Sequence, residues 1–223
     1  MRSEIRALLG AAAAIVCASA ASASLVPTLQ TRTSDAVFGG TKFTYDTMLT
    51  ADQGMSKTAI NTENNQPYNT RFVIFDFGGY VDGSIFSTNP LFTTSIENMS
   101  TNLSVPVGAV DDPTLVNLVF TYTGPDVRTT GGPYADIDLG NFGATSIFSD
   151  TSRSFFAAVG VKNTGTPFPA GTANTASFNS SSILVPTSQV PEPASWALML
   201  LGFGGMGGLL RSQRKPRVNY NLG

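Results

Sequence analysis

The chain has 223 residues, a formal net charge of −2 and no histidine. The missing histidine removes Ser-His-Asp triads, Cys-His dyads and histidine-ligated zinc together. The slight acidic excess leaves no basic surface to grip phosphates, so nucleic acid is not an expected partner.

The first element is a leader. Arg2 and Arg6 flank Glu4, residues 7–16 form an apolar run too short to span a bilayer, and small residues follow. Ala18-Ser19-Ala20 and Ala21-Ser22-Ala23 both give an A-x-A site. The pattern predicts a secretory signal peptide over 1–23, cut by signal peptidase after Ala20 or Ala23. Cys17 is the single cysteine, and Ala14-Ile15-Val16 lacks the small residue expected before a lipoprotein cysteine. A mature chain without cysteine has neither disulfides nor thiol chemistry.

Residues 24–185 are one domain's worth of chain, enough to bury a core. From 24 to 189, seven Lys/Arg face thirteen Asp/Glu, a balance of −6. Helical periodicity is absent, and short apolar runs recur between turn clusters. Residues 42–49 alternate, with Phe43, Tyr45, Thr47 and Leu49 on one face. Residues 71–77 are apolar on both faces and predict a central strand, closed by Gly78-Gly79 and Asp82-Gly83. A weaker strand follows at 91–99. The clearest is 115–123, where Val116, Leu118, Phe120 and Tyr122 share a face and Gly124-Pro125 ends the run. Residues 137–148 contain Gly140 and Gly143 and predict two short strands. Residues 154–162 alternate again, placing Phe155, Ala157, Val159 and Val161 inward, and 182–185 close the sheet system. Residues 61–69 and 168–179 predict loops. The sum is an all-β ectodomain, a β-sandwich with jelly-roll-like or Ig-like order as the alternatives.

Chemistry is sparse. No G-x-S-x-G elbow, P-loop or G-x-G-x-x-G occurs. A glycoside hydrolase needs only two carboxylates about 5–10 Å apart, for which Asp76, Asp82, Glu97, Asp111, Asp112, Asp136 and Asp138 are the candidates. Most sit beside Gly or Pro, where Asp supports turns, so the chain is expected not to be an enzyme. Residues 136–141, Asp-Ile-Asp-Leu-Gly-Asn, offer hard oxygen ligands. They place Gly fifth and supply no glutamate at the twelfth position, so the EF-hand pattern fails. No metal and no cofactor is expected. Tyr68, Tyr80 and Tyr134 fall in predicted loops and are the candidate platforms of a carbohydrate-binding module.

The most informative stretch is 186–223. A linker over 186–193 contains Pro191-Glu192-Pro193, whose prolines fix φ and push the residues before them toward extended conformations. Trp196 and Ala197 follow in an uncharged span, 194–210, about 25 Å long as a helix and predicted to be transmembrane. Its Gly204 and Gly208 make one G-x-x-x-G spacing, which a glycine-rich span produces readily by chance. A basic tail over 211–223 supplies Arg211, Arg214, Lys215 and Arg217, which favour the cytoplasmic side.

Pro191, Glu192, Pro193, Trp196 and Ala197, the uncharged span and the basic cluster together resemble the PEP-CTERM sorting tail in its Pro-Glu-Pro-x-x-Trp-Ala variant. The resemblance implies that an exosortase-type membrane protease recognises the signal. It implies an inner-membrane intermediate with a periplasmic ectodomain, then transfer to the cell surface or beyond. It also implies a structural or adhesive role in exopolysaccharide or biofilm. Residues 72–79 and 111–124 resemble, more loosely, the ectodomains that precede such tails. That second likeness implies no activity.

Overall fold

The computed structural model describes residues 25–51, 53–61, 65–99, 103, 110–128, 136–162, 173–174, 176–188 and 193–212. The signal-peptide sites Ala20 and Ala23 lie outside them. The strands are β1 (Leu25–Ser34), β2 (Thr41–Leu49), β3 (Gln53–Met55), β4 (Ala59–Asn61), β5 (Pro67–Tyr68), β6 (Arg71–Phe77) and β7 (Phe86–Ser87). They continue with β8 (Phe92–Glu97), β9 (Val116–Tyr122), β10 (Val127–Arg128), β11 (Ile137–Ser146), β12 (Asp150–Lys162), β13 (Ala173–Asn174) and β14 (Ala176–Thr187). One helix, α1 (Pro193–Ser212), follows.

Two antiparallel sheets carry the fold. The first has the order β1-β2-β11-β7; the second runs β10-β3-β12-β6-β9-β8, with β14 also paired to β12. A small third sheet joins β13, β4 and β5. The two large sheets share one core. Phe43, Tyr45 and Phe142 of the first meet Phe72, Ile74, Leu118, Phe120 and Phe156 of the second. The alternation of β2 is realised, since Phe43, Tyr45, Thr47 and Leu49 are all fully buried. The Tyr45 hydroxyl donates to the carbonyl of Leu184, which ties the first sheet to β14.

The central position of β6 is also realised. It lies between β12 and β9 and is buried on both faces. Phe72 and Ile74 enter the shared core, while Val73 and Phe75 join a second cluster with Val119, Phe155, Ala157 and Val159. That second cluster corrects the reading of 154–162. Phe156 and Ala158, not Phe155, Ala157 and Val159, point between the large sheets. Both faces of this sheet are covered, so a period of two marks the faces without saying which is inner.

Three further differences have physical causes. β1 was not predicted because most of its side chains beyond Pro27 are exposed; it pairs along the edge of β2. β11 is one strand rather than two, with a bulge between Asp138 and Asn141 that Gly140 accommodates at φ +87°. The second glycine, Gly143, lets the backbone pass against the Phe43 carbonyl. β14 overruns the predicted closing strand at both ends, starting at Ala176 inside the predicted 168–179 loop and running through Pro186 and Thr187 of the predicted linker, paired to β12 from Val161↔Ala176 to Asp150↔Thr187.

Register decides which loops share an end. Ser34 and Ser146 both pair with Thr41, and Asp150 pairs with Thr187. The β1–β2 turn, the β11–β12 turn and the exit of β14 therefore lie together. The Gly78-Gly79 turn joins them. Gly78 N–H donates to Pro186 C=O at 3.2 Å and Ile147 N–H to Gly79 C=O at 2.8 Å. A Cβ on Gly78 would sit 2.6 Å from that Pro186 oxygen, and one on Gly79 2.7 Å from the Phe148 ring.

Candidate functional site

The tail leaves the domain abruptly. Thr187 is still paired with Asp150, and α1 begins at Pro193, so only 188–192 separate sheet from helix. Proline is suited to the first helical position because its missing N–H would be unpaired there anyway. Trp196 and Ala197 fall in the first turns of α1, and Arg211 in its last turn, where a cation opposes the negative end of the helix dipole. Pro191, Glu192, Arg214, Lys215 and Arg217 lie outside the described residues. Leu198, Met199, Leu200, Leu201, Phe203 and Met206 are all exposed and lie around the helix rather than along one stripe. A helix apolar all round needs an apolar surrounding, and the β-domain does not supply one.

The expected transmembrane helix over 194–210 is not confirmed. Among the described residues no helix is long and apolar enough to cross a membrane. Gly202, Gly204, Gly205 and Gly207 face open space.

A second feature sits where the tail exits. A cleft of about 300 Å³ is lined by residues including Asp76, Asp112, Phe148, Arg153, Ser154 and Pro186. Asp76 lies at the β6 bulge, in the left-handed region at φ +56°, which Asp tolerates better than most residues. Its backbone N–H donates to Asn117 Oδ1. Its carboxylate accepts from Asp112 N–H and Ser154 Oγ, each at 2.9 Å. Asp112 accepts from the Thr114 hydroxyl and N–H, bonds that hold its carboxyl below the usual range. Asn117 donates to Asp111. The cluster therefore pins the 110–115 turn to β6 and β12, and its carboxylate oxygens are engaged in that work.

Residues 189–215 match the family model of the PEP-CTERM protein-sorting motif. The chain carries a PEP-CTERM sorting motif. No curated protein and no solved structure matches the chain. The motif begins two residues after the last rung of β14, so almost no spacer lies between the β-domain and the motif.

The other candidates fare differently. Of the seven carboxylates, the structure brings Asp76, Asp111 and Asp112 together. Asp136 caps Ala51 N–H and Asp138 caps Gly140 N–H at the bulged start of β11. Among the described residues no group of three or more Cys, Asp or Glu is placed to hold a metal ion. Tyr68 packs on the outer cluster and donates to Gly160 C=O. Tyr80 meets Phe77 edge-on at 6.4 Å. Both rings are partly buried; Tyr134 lies outside the described residues. The cleft was missed because Asp76, Asp112 and Ser154 come from separate elements. Its one signal was a carboxylate inside the apolar run Phe75-Asp76-Phe77.

Proposed function

We propose that this protein is exported, held at the inner membrane by its tail, and recognised at Pro191-Glu192-Pro193 and processed by an exosortase-type protease. Its β-domain is then released to, or retained at, the cell surface. The observation that carries the reading is the PEP-CTERM motif over 189–215, placed directly after β14. An uncovered helix that is apolar all round suits a membrane-held intermediate. The domain's role is structural or adhesive, within exopolysaccharide or biofilm, and it performs no catalysis. Two sheets with a polar, carboxylate-bearing exterior form a stable module without needing a reacting group.

The test changes Glu192→Gln and Pro193→Ala separately, leaving the span and basic cluster intact. Accumulation of uncleaved precursor in the inner membrane with both variants supports the reading. Normal processing of both reduces the tail to a simple anchor. Polysaccharide retention by surface-displayed protein, compared with a strain lacking it, tests the adhesive role.

A further inference from the structure

The end of the domain from which the tail leaves carries exposed apolar side chains on a braced turn. Val37 and Phe38, at the tip of the β1–β2 turn, are 85% and 44% exposed, and Ile147 in the adjacent β11–β12 turn is 67% exposed. This is not slack chain. Val37 N–H and Phe38 N–H both donate to Asp35 Oδ1. Thr145 Oγ1 donates to Asp35 Oδ2, and Arg32 reaches the carbonyl of Ser149 at 3.0 Å. The fold spends four hydrogen bonds presenting three apolar side chains to the outside. Val110 and Met99 are exposed as well, close in sequence to the ends of β9 and β8 that face the same way.

We propose that this end of the domain rests on the bilayer surface while the tail is still attached, with Val37, Phe38 and Ile147 inserted among the lipid headgroups. The inference builds on the membrane-held intermediate proposed above. Tether length decides the orientation. The five residues 188–192 span at most about 18 Å when extended, whereas the thirteen residues of β12 make the domain about 40 Å long at 3.3 Å per residue. The opposite end, with Leu25, Leu49 and Tyr122, therefore cannot reach the membrane upright. The end that can reach it is the one bearing the apolar tip. Near that end Asp35, Asp82, Asp111 and Asp112 outnumber Arg32, Lys42 and Arg153, so anionic lipid is not favoured and the contact is apolar rather than electrostatic.

The full chain carrying Cys17→Ser is reconstituted into phosphatidylcholine vesicles whose headgroups carry a nitroxide, a short-range fluorescence quencher. An NBD fluorophore is placed on Val37→Cys, Ile147→Cys or, at the opposite end, Leu91→Cys. Leu91 is also exposed, so it controls for apolarity alone. Trp196, the only tryptophan, reports the tail in the same sample. Quenching of Trp196 and of the probes at 37 and 147, with the probe at 91 unaffected, is the expected result. Quenched Trp196 with unquenched, water-exposed probes at 37 and 147 overturns the proposal and leaves the tail reading standing. Probes at 37 and 147 that are shifted to the blue yet unquenched show a protein cover, either α1 or a second copy, and also overturn it. Equal quenching at 91 refutes the orientation. Unquenched Trp196 refutes the tail reading, and this proposal with it.

Discussion

Phe142 is a first-sheet ring that makes three aromatic contacts with the second. It is fully buried and meets Phe72, Phe92 and Phe120 edge-on at 5.1, 5.1 and 5.2 Å. Replacing a buried phenylalanine with alanine costs about 3–5 kcal/mol, and each aromatic pair adds about 0.5–1.5 kcal/mol beyond area. With three such pairs and no exposed side from which the cavity can relax, Phe142→Ala belongs at about 4–5 kcal/mol. Phe155 is the comparison. It lies in the outer cluster, 8% exposed, stacked on Phe75 at 4.3 Å, and Phe155→Ala belongs near about 3 kcal/mol. Urea unfolding of residues 24–188, followed by circular dichroism, measures both. With a slope of about 2 kcal/mol per molar, Phe142→Ala lowers the midpoint by about 2 M. A double-mutant cycle with Phe72→Ala should return about 1 kcal/mol of coupling. A smaller loss at Phe142 than at Phe155, or no coupling to Phe72, refutes the account of how the sheets are joined.

Gly143→Ala drives a methyl group into the Phe43 carbonyl and should cost several degrees of melting temperature. Gly39→Ala, at φ +70° in open space, costs only about 1–2 kcal/mol of backbone strain; equal losses would refute the close-approach argument. The Thr145 hydroxyl, followed by the Phe38 N–H, holds the Asp35 carboxyl below its ordinary value. A depressed folded pKa contributes stability that is present above the unfolded value of about 3.9 and lost as pH falls through the folded one. Asp35→Asn should therefore flatten the fall in melting temperature below about pH 4, and an unchanged acid limb counts against it. N-terminal sequencing of exported protein should begin at Ala21 or Ser24, and a start at Met1 would sink the signal-peptide reading.

How legible each part was depended on whether its signal is local. β2, β6 and β9 could be read because burial writes itself into alternate residues, or into every residue when both faces are covered. β1 could not, since an edge strand made of Thr, Gln, Arg and Ser looks like loop until its partner is known. The facing of β12 failed because Phe155 and Phe156 are both buried, in different clusters. The tail was legible because its motif is linear. The Asp76 cleft was not, since Ser154 lies 78 positions from Asp76 and only the sheet brings them together.

The pairing of β14 with β12 also has a mechanical meaning. Ladder hydrogen bonds in an antiparallel pair stand perpendicular to the strands, and the tail continues from the end of β14. While the protein is tethered, a pull on the domain from its far end loads that ladder lengthwise, in shear. The rungs from Val161↔Ala176 to Asp150↔Thr187 then share the force instead of opening one after another. Under the proposed role, drag on a held matrix would reach the tail in shear, the direction this ladder resists best.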